Sequence, residues 1–455
     1  MNWIHAKERW TPPAWAVLER HLFDVLNQAA MEFVDRYTRP DGTLIWNRDT
    51  WPGMDGSDDP YEGFMNLALF YALGGKEETL AAARRIWEGI TFQWTEYGQI
   101  AREFDKYYDW MHHGEGYLYF YFFGLCDPLS LKDRQRAERF ARFYTGDDPL
   151  APNYDKRLRL IRSPLTGSFG PRFTVTEEDW CTHRGILDGY LAPFEDIPGV
   201  DVRSGRCPWS DDKVYREIIK RMNERMNRGD VPLNLNATSL VAHAYMYTAD
   251  EKYRQWVLDY LEAWTERARR NGGIIPDNVG LGGVIGEYNG GKWWGGYYGW
   301  RWPHGFMTII EPIVNACMNA LLLTGDDGRL SLAREQLDRN WECGREEEGV
   351  WKVPYRRFDD GWHDYRFPNP IYPIYLWTAS MQDEDLTRID RIWRHGRDHD
   401  WNRIIIPNVS GRDKETGRET KHYIGNTIPW FRFIRGENPG YPERILEANC
   451  ELIRR

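Results

Sequence analysis

Apolar residues fall along this chain in two alternating kinds of segment. One kind is apolar on every side: residues 61–75 (YEGFMNLALFYALGG), 117–125 (YLYFYFFGL), 186–194 (ILDGYLAPF), 237–247 (ATSLVAHAYMY), 306–323 (FMTIIEPIVNACMNALLL) and 370–380 (PIYPIYLWTAS). The other kind is amphipathic with helical spacing. Residues 77–95 carry Leu80, Ala83, Ile86, Trp87 and Ile90 on one face, and comparable stripes follow in LKDRQRAERFARFY, DDKVYREIIKRMNERM, EKYRQWVLDYLEAWTERA, GRLSLAREQLDRNWE and EDLTRIDRIWRHG. A helix apolar all round is buried, and one with a single apolar stripe lies between core and solvent. The pattern predicts six inner helices starting near residues 61, 114, 185, 237, 305 and 370, each followed by an outer one. An amphipathic helix from Pro12–Pro13 to about Arg36 precedes them.

A unit recurring every roughly 50–70 residues marks a repeat architecture. Six helical hairpins with fully apolar inner helices close most simply into a ring, so the expected fold is an all-α (α/α)6 toroid forming one domain over residues 1–455. An open solenoid is the alternative, but it would need a polar concave face that these inner helices lack. Residues 398–440 break the pattern. There RIIIPNVSGRDKETGRETKHYIGNTIPW alternates short β-prone runs with Gly and Asn and reads as an irregular or hairpin segment.

With the inner helices parallel, the six polar loops preceding them meet at one end of the ring, where helix starts present unpaired N–H groups and a partial positive charge. The longest, residues 272–305, is dense in glycine, Trp and Tyr and has neither helical nor strand period. Long loops of this kind are usually functional. The loops gather Asp58, Trp110, His112, His113, Glu115, Arg172, His183, Asn236, Asn278, Glu287, Tyr288, Trp293, Trp294, Tyr297, Tyr298, Arg301, His304 and His363. Flat rings beside carboxylates suit a sugar, which has polar edges and apolar faces.

The alternation of inner and outer helices, with aromatic and acidic loops before the inner ones, resembles the (α/α)6-barrel carbohydrate-active enzymes, among them the unsaturated glucuronyl hydrolases and the toroidal polysaccharide lyases. The resemblance covers most of the chain and lies in architecture, so no catalytic residue is carried over from it. It implies a carbohydrate substrate.

Two chemistries fit the residues. Glycoside hydrolysis needs one carboxylic acid and a second carboxylate acting as base or nucleophile. Glu115, Glu287 and Asp58 are the candidates, with Glu115 and Glu287 expected to face each other across the ring. Elimination at a uronate needs a group to hold the carboxylate and a Tyr or His to take a proton. Tyr288, His304 and His113 offer the second, Arg301 and Asn278 the first. Trp110, Arg172, His183, Asn236, Trp293, Trp294, Tyr297, Tyr298 and His363 complete the expected binding surface. The expected activity is hydrolysis of uronic-acid-containing oligosaccharides at a chain end, with lyase action or non-catalytic sugar binding as alternatives. Neither a cofactor nor a metal is called for: His112, His113 and Glu115 sit too close in sequence to converge on an ion without further ligands.

Net charge is −10 with both signs mixed, which disfavours nucleic acid as a partner. The N-terminal MNWIHAKERWTPPAW lacks the basic and apolar regions of a signal peptide, and the chain has no uninterrupted apolar span. Six scattered cysteines without a CxxC pair read as reduced thiols. The expectation is a cytoplasmic protein that neither enters nor crosses a membrane.

Overall fold

The structure, a computed structural model, describes residues 10–45, 57–396, 400–405 and 426–454. Its helices in chain order are α1 (Ala14–Tyr37), α2 (Asp58–Ala72), α3 (Glu77–Glu96), α4 (Trp110–Gly116), α5 (Leu118–Cys126), α6 (Leu131–Thr145), α7 (Arg184–Leu187), α8 (Asp212–Arg225), α9 (Ala237–Thr248), α10 (Glu251–Arg270), α11 (Phe306–Thr324), α12 (Ser331–Glu342), α13 (Ile371–Ser380), α14 (Asp383–His395), α15 (Thr427–Ile434) and α16 (Tyr441–Ile453). Outer helices start at polar caps that take up orphan N–H groups: Ser130 for α6, Asp211 for α8 and Asp250 for α10.

The inner helices α2, α5, α9, α11, α13 and α15 pack side by side in that order. The seam is closed through α15 on α16, α16 on α1, α1 on α3 and α3 on α2. The fold is therefore an all-α toroid of inner and outer helices. Its core holds a large aromatic population, including fully buried Trp87, Trp94, Trp110 and Trp264.

One hairpin is not where the sequence pattern put it. Residues 186–194 were expected as the third inner helix but continue α7 only to Leu187, because Gly189 and Pro193 interrupt the helix. As a result α5 and α6 pack directly on α9. The sixth inner position is taken by α15, from the irregular segment expected over 398–440. Of that segment, 400–405 are turn and coil, and 406–425 lie outside the described residues.

Residues 172–230 leave the ring as an excursion carrying α7 and α8. The excursion is held together by Asp196 with Arg221 and Arg225, and by Val175 with Asn223. It lies over the loop end of the ring, where Trp180 meets Tyr297 and Tyr190 meets His304.

A three-stranded antiparallel sheet, Arg345–Glu347, Val350–Phe358 and Gly361–Arg366, replaces the loop expected before α13. Asp359–Asp360 supplies the turn between its last two strands, which pair Phe358 with Gly361 and Arg356 with His363. By length and composition α11 is apolar enough to cross a membrane, with 56% of that window buried. It packs against α9, α10, α12 and α13 as a core helix.

Candidate active site

The site is built on Asp109, which caps α4. Its Oδ1 accepts from the N–H of Met111 at 2.9 Å and of His112 at 3.3 Å, and from His112 Nδ1 at 2.8 Å. Its Oδ2 accepts the Tyr297 hydroxyl at 2.9 Å, tying α4 to the long loop 188 residues away. The His112 ring lies parallel to Tyr108, with centroids 4.5 Å apart, and edge-on to Tyr298.

The charges are mutually arranged. Burial alone would raise the Asp109 carboxyl, but the charge and hydrogen bonds of His112 hold it below the ordinary range. Burial also works against a charged His112, yet Asp109 and then Asp58 hold the imidazole well above 6.5. Both shifts favour the charged form of the His112–Asp109 pair.

Asp58 opens α2 and accepts the Tyr108 hydroxyl at 3.0 Å. The two helices touch at backbone level here: a Cβ on Gly116 would sit 3.2 Å from Asp58 Cα, so the glycine permits the approach. That contact brings Glu115 close to the acidic start of α2. Burial pushes the Glu115 carboxyl up to about 7; His112 opposes the rise, and the charges of Glu62, Asp109 and Asp59 reinforce it. A carboxyl half protonated near neutrality thus stands beside carboxylates in the first turn of a helix, where the dipole stabilises negative charge.

The loop 272–305 is shaped from inside by Asp277. This buried carboxylate accepts from the N–H of Gly295 at 2.9 Å, Gly296 at 2.8 Å and Trp300 at 2.7 Å, and from Asn278 Nδ2 at 3.0 Å. A Cβ on Gly296 would come within 2.0 Å of the Asp277 carbonyl oxygen, and one on Gly299 within 2.2 Å of its carboxylate. Glycine is required at both. The wrapped loop delivers Tyr297 to Asp109, Tyr298 to His112, and His304 to Tyr298 at 5.9 Å between ring centroids. The strand hairpin fixes its end: Arg356 donates to the carbonyls of Arg301 and Pro303.

Of the residues expected from sequence, the structure brings together Asp58, Glu115, Asn236, Tyr297, Tyr298 and His304. Asn236 stands before α9 beside Gly114 and donates to the Trp110 carbonyl at 3.2 Å. Other expected residues lie elsewhere. Trp110 is fully buried and packs its ring on His113 and Tyr144. His113 is buried with Nε2 3.0 Å from the Thr166 carbonyl oxygen, and burial lowers its pKa. Neither presents a side chain to a ligand.

Glu287 is exposed and accepts the Gly282 N–H at 2.8 Å within its own loop; Tyr288 bonds to it there. This replaces the expected pairing with Glu115, because the loop folds back on itself through glycines instead of reaching across the ring. Arg172 is held by Asp179, and Arg301 is buried against Glu195 at 3.0 Å and over Phe358. The two expected anion-binding cations are thus already paired with carboxylates. Trp293 and Trp294 pack on the sheet through Trp362 and Arg357. His363 bonds to Asp360 and stacks on Phe358 near Arg301. Asn278 serves Asp277 and the Lys292 carbonyl, and His183 contacts Thr182 on the excursion.

Asp109, Tyr108 and Glu62 were not among the expected residues. The signal for Asp109 was present: an Asp three residues before a side chain that bonds back to it is the pattern of a helix start. Placing the cap at Asp109 also decides that His112 folds onto the cap while His113, one position further round the helix, enters the core.

The chain belongs to the family described as Domain of unknown function (DUF8034), whose profile matches residues 3–352 and 345–455. No curated protein matches it significantly in sequence. Among solved structures, a D-mannose isomerase is similar at 12% identity and a TM-score of 0.46, over 98% of this chain and 100% of that one. An α-1,6-mannanase, GH76A of Salegentibacter sp. HEL1_6, is similar at 12% identity and a TM-score of 0.37, over 83% of this chain and 85% of that one.

Proposed function

We propose that the protein is a glycoside hydrolase that receives the end of an oligosaccharide at the loop end of its toroid. The observation that carries this reading is the Glu115 carboxyl, pushed up by burial, beside a second buried carboxyl, Asp58, where α4 touches the start of α2. Glu115 is held up to about 7 and serves as the general acid that protonates the leaving oxygen. Asp58 opens α2, accepts from Tyr108 and faces the positive charge of His112; it supplies the second carboxylate. One carboxyl held up as an acid, with a second carboxyl close by, is the pair that glycoside hydrolysis needs.

The excursion of residues 172–230 over the loop end favours action at a chain end over action along its middle. With Arg172 and Arg301 both paired, a uronate at that end would meet the imidazolium of His112, so uronic-acid-containing oligosaccharides stay first in the order of substrates to test. Elimination is the weaker reading. Of its expected proton acceptors, His113 is buried on the Thr166 carbonyl and Tyr288 bonds to Glu287 in its own loop, which leaves His304 alone near the site.

Uronate-containing and neutral oligosaccharides are incubated with the protein and followed by reducing ends and by the ultraviolet absorbance of an unsaturated product. Reducing ends without absorbance are expected. Glu115→Gln and Asp58→Asn should each lower kcat by about a thousandfold, while Glu287→Gln stays near wild type. Absorbance gain, or full activity in Glu115→Gln, overturns the proposal.

A further inference from the structure

The inner helix α11 carries a polar stripe that the acid and base do not use. Glu311, Asn315 and Asn319 recur at intervals of four residues on a largely apolar helix, so they share one face. Asn315 is exposed although it stands mid-helix on the inner layer of the ring. Its Nδ2 donates to Asn236 Oδ1 at 2.9 Å. Asn236 in turn lies 3.5 Å from where a Cβ on Gly114 would be, beside Glu115. One helical turn before Asn315, toward the loop end, Glu311 Oε1 accepts the Tyr372 hydroxyl of α13 at 3.2 Å. Two hydrogen-bonded pairs, Asn315 with Asn236 and Glu311 with Tyr372, therefore lie one helical turn apart on α11, and the first stands beside Gly114, the neighbour of Glu115 on α4.

We infer that Glu311, Asn315 and Asn236 form a second sugar subsite on the wall of the ring, which takes the residue of the oligosaccharide adjoining the one at Glu115. The inference rests on the hydrolase reading for which bond is cut, but not for the binding itself. The chemistry of the row specifies the ligand class. A carboxamide offers both a donor and an acceptor, and a carboxyl offers an acceptor; two carboxamides and a carboxyl in succession along the wall, with Asn315 exposed, match the adjacent hydroxyls of an unmodified pyranose. Such hydroxyls each donate one hydrogen bond and accept others. Burial raises the proton affinity of Glu311 against the Tyr372 hydrogen bond, which fits recognition of a neutral ring better than attraction of a cation. Packing does not require this row: Asn319 reaches Thr238 and Ser239 further along α9 and would join the helices alone.

The test is calorimetric titration of Glu115→Gln protein, which retains the fold but not the proposed acid. The probes are neutral and uronate-containing disaccharides of the gluco, manno and galacto series and their parent monosaccharides. At least one disaccharide is expected to bind. Adding Glu311→Ala or Asn315→Ala should weaken that disaccharide by about tenfold or more and its monosaccharide by less than about threefold. Near-UV circular dichroism checks the fold. Where Glu311→Ala does not fold, the exposed Asn315 carries the test.

Equal losses for both sugars, no loss for either, or no disaccharide binding at all overturns the subsite. The two proposals fail separately. Disaccharide binding that needs Glu311, without any turnover by the wild-type protein, removes the hydrolase reading alone. Turnover that needs Glu115, with unchanged binding in both α11 variants, removes the subsite alone.

Discussion

At the scale of single residues, the pH behaviour follows from Glu115. Its carboxyl titrates at about 7 in the folded chain against 4.5 ordinarily. A raised acid contributes stability that is fully present below 4.5 and is lost as pH rises through about 7. The spread corresponds to about 3 kcal/mol. Glu115→Gln should therefore match the wild type at pH 4.5 and exceed it by up to about 3 kcal/mol at pH 9, measured by urea denaturation at each pH. A constant difference across that range would contradict the assignment. The same titration limits activity: the acid must carry its proton, so kcat/KM should fall as pH rises past about 7. His112 acts in the same direction on stability, since its raised pKa makes the charged form the folded one.

At the scale of an element, the loop 272–305 is organised by one buried carboxylate instead of by a helix or sheet. Burial raises the Asp277 carboxyl to about 6, while its four donors favour the ion. Asp277→Ala would leave three backbone N–H groups buried without acceptors, each costing about 1–3 kcal/mol. The expected outcome is a loss of at least about 3 kcal/mol in urea unfolding, with a changed near-UV spectrum from the loop's tryptophans. Gly299→Ala should act similarly, because its Cβ would displace the same carboxylate. An unchanged spectrum in both would show that the loop is held by something else.

At the scale of the whole molecule, the ring closes where its last helix meets its first. α16 lies between α15 and α1, with Ala448 and Cys450 buried at the seam. A chain ending before Tyr441 would leave the faces of α1 and α15 open. It should melt roughly 5–10 °C lower and bind a hydrophobic dye, as read by scanning calorimetry and fluorescence. An unaltered melt would mean that closure contributes nothing to stability.

The sequence by itself determined the helical layers and most of their boundaries. All-round apolarity and one-faced apolarity are local patterns, and burial must satisfy them wherever the helices end up. Five of the six expected inner starts are occupied by inner-layer helices; α9 begins at Ala237, α11 at Phe306 and α13 at Ile371. The third failed for a local reason too, since Gly189 and Pro193 were legible as helix breakers. Asp58 and Glu115 were legible singly as candidate carboxyls, but the expected partner of Glu115 was Glu287; the contact of Gly116 with Asp58 is what brings Glu115 to the start of α2. The helix cap at Asp109 was a local signal for the fates of the two adjacent histidines, but tertiary structure decided that Tyr297 and Tyr298 meet Asp109 and His112. It decided that Glu287 bonds inside its own loop, and that Arg172 and Arg301 are neutralised by Asp179 and Glu195. It also decided that Glu311 and Asn315 join the site from the middle of an apolar helix. These outcomes depend on how the folded chain brings polar groups together and buries them, whether the partner is seven residues away, as for Arg172 and Asp179, or about a hundred, as for Arg301 and Glu195, and a residue's own identity fixes neither distance nor burial.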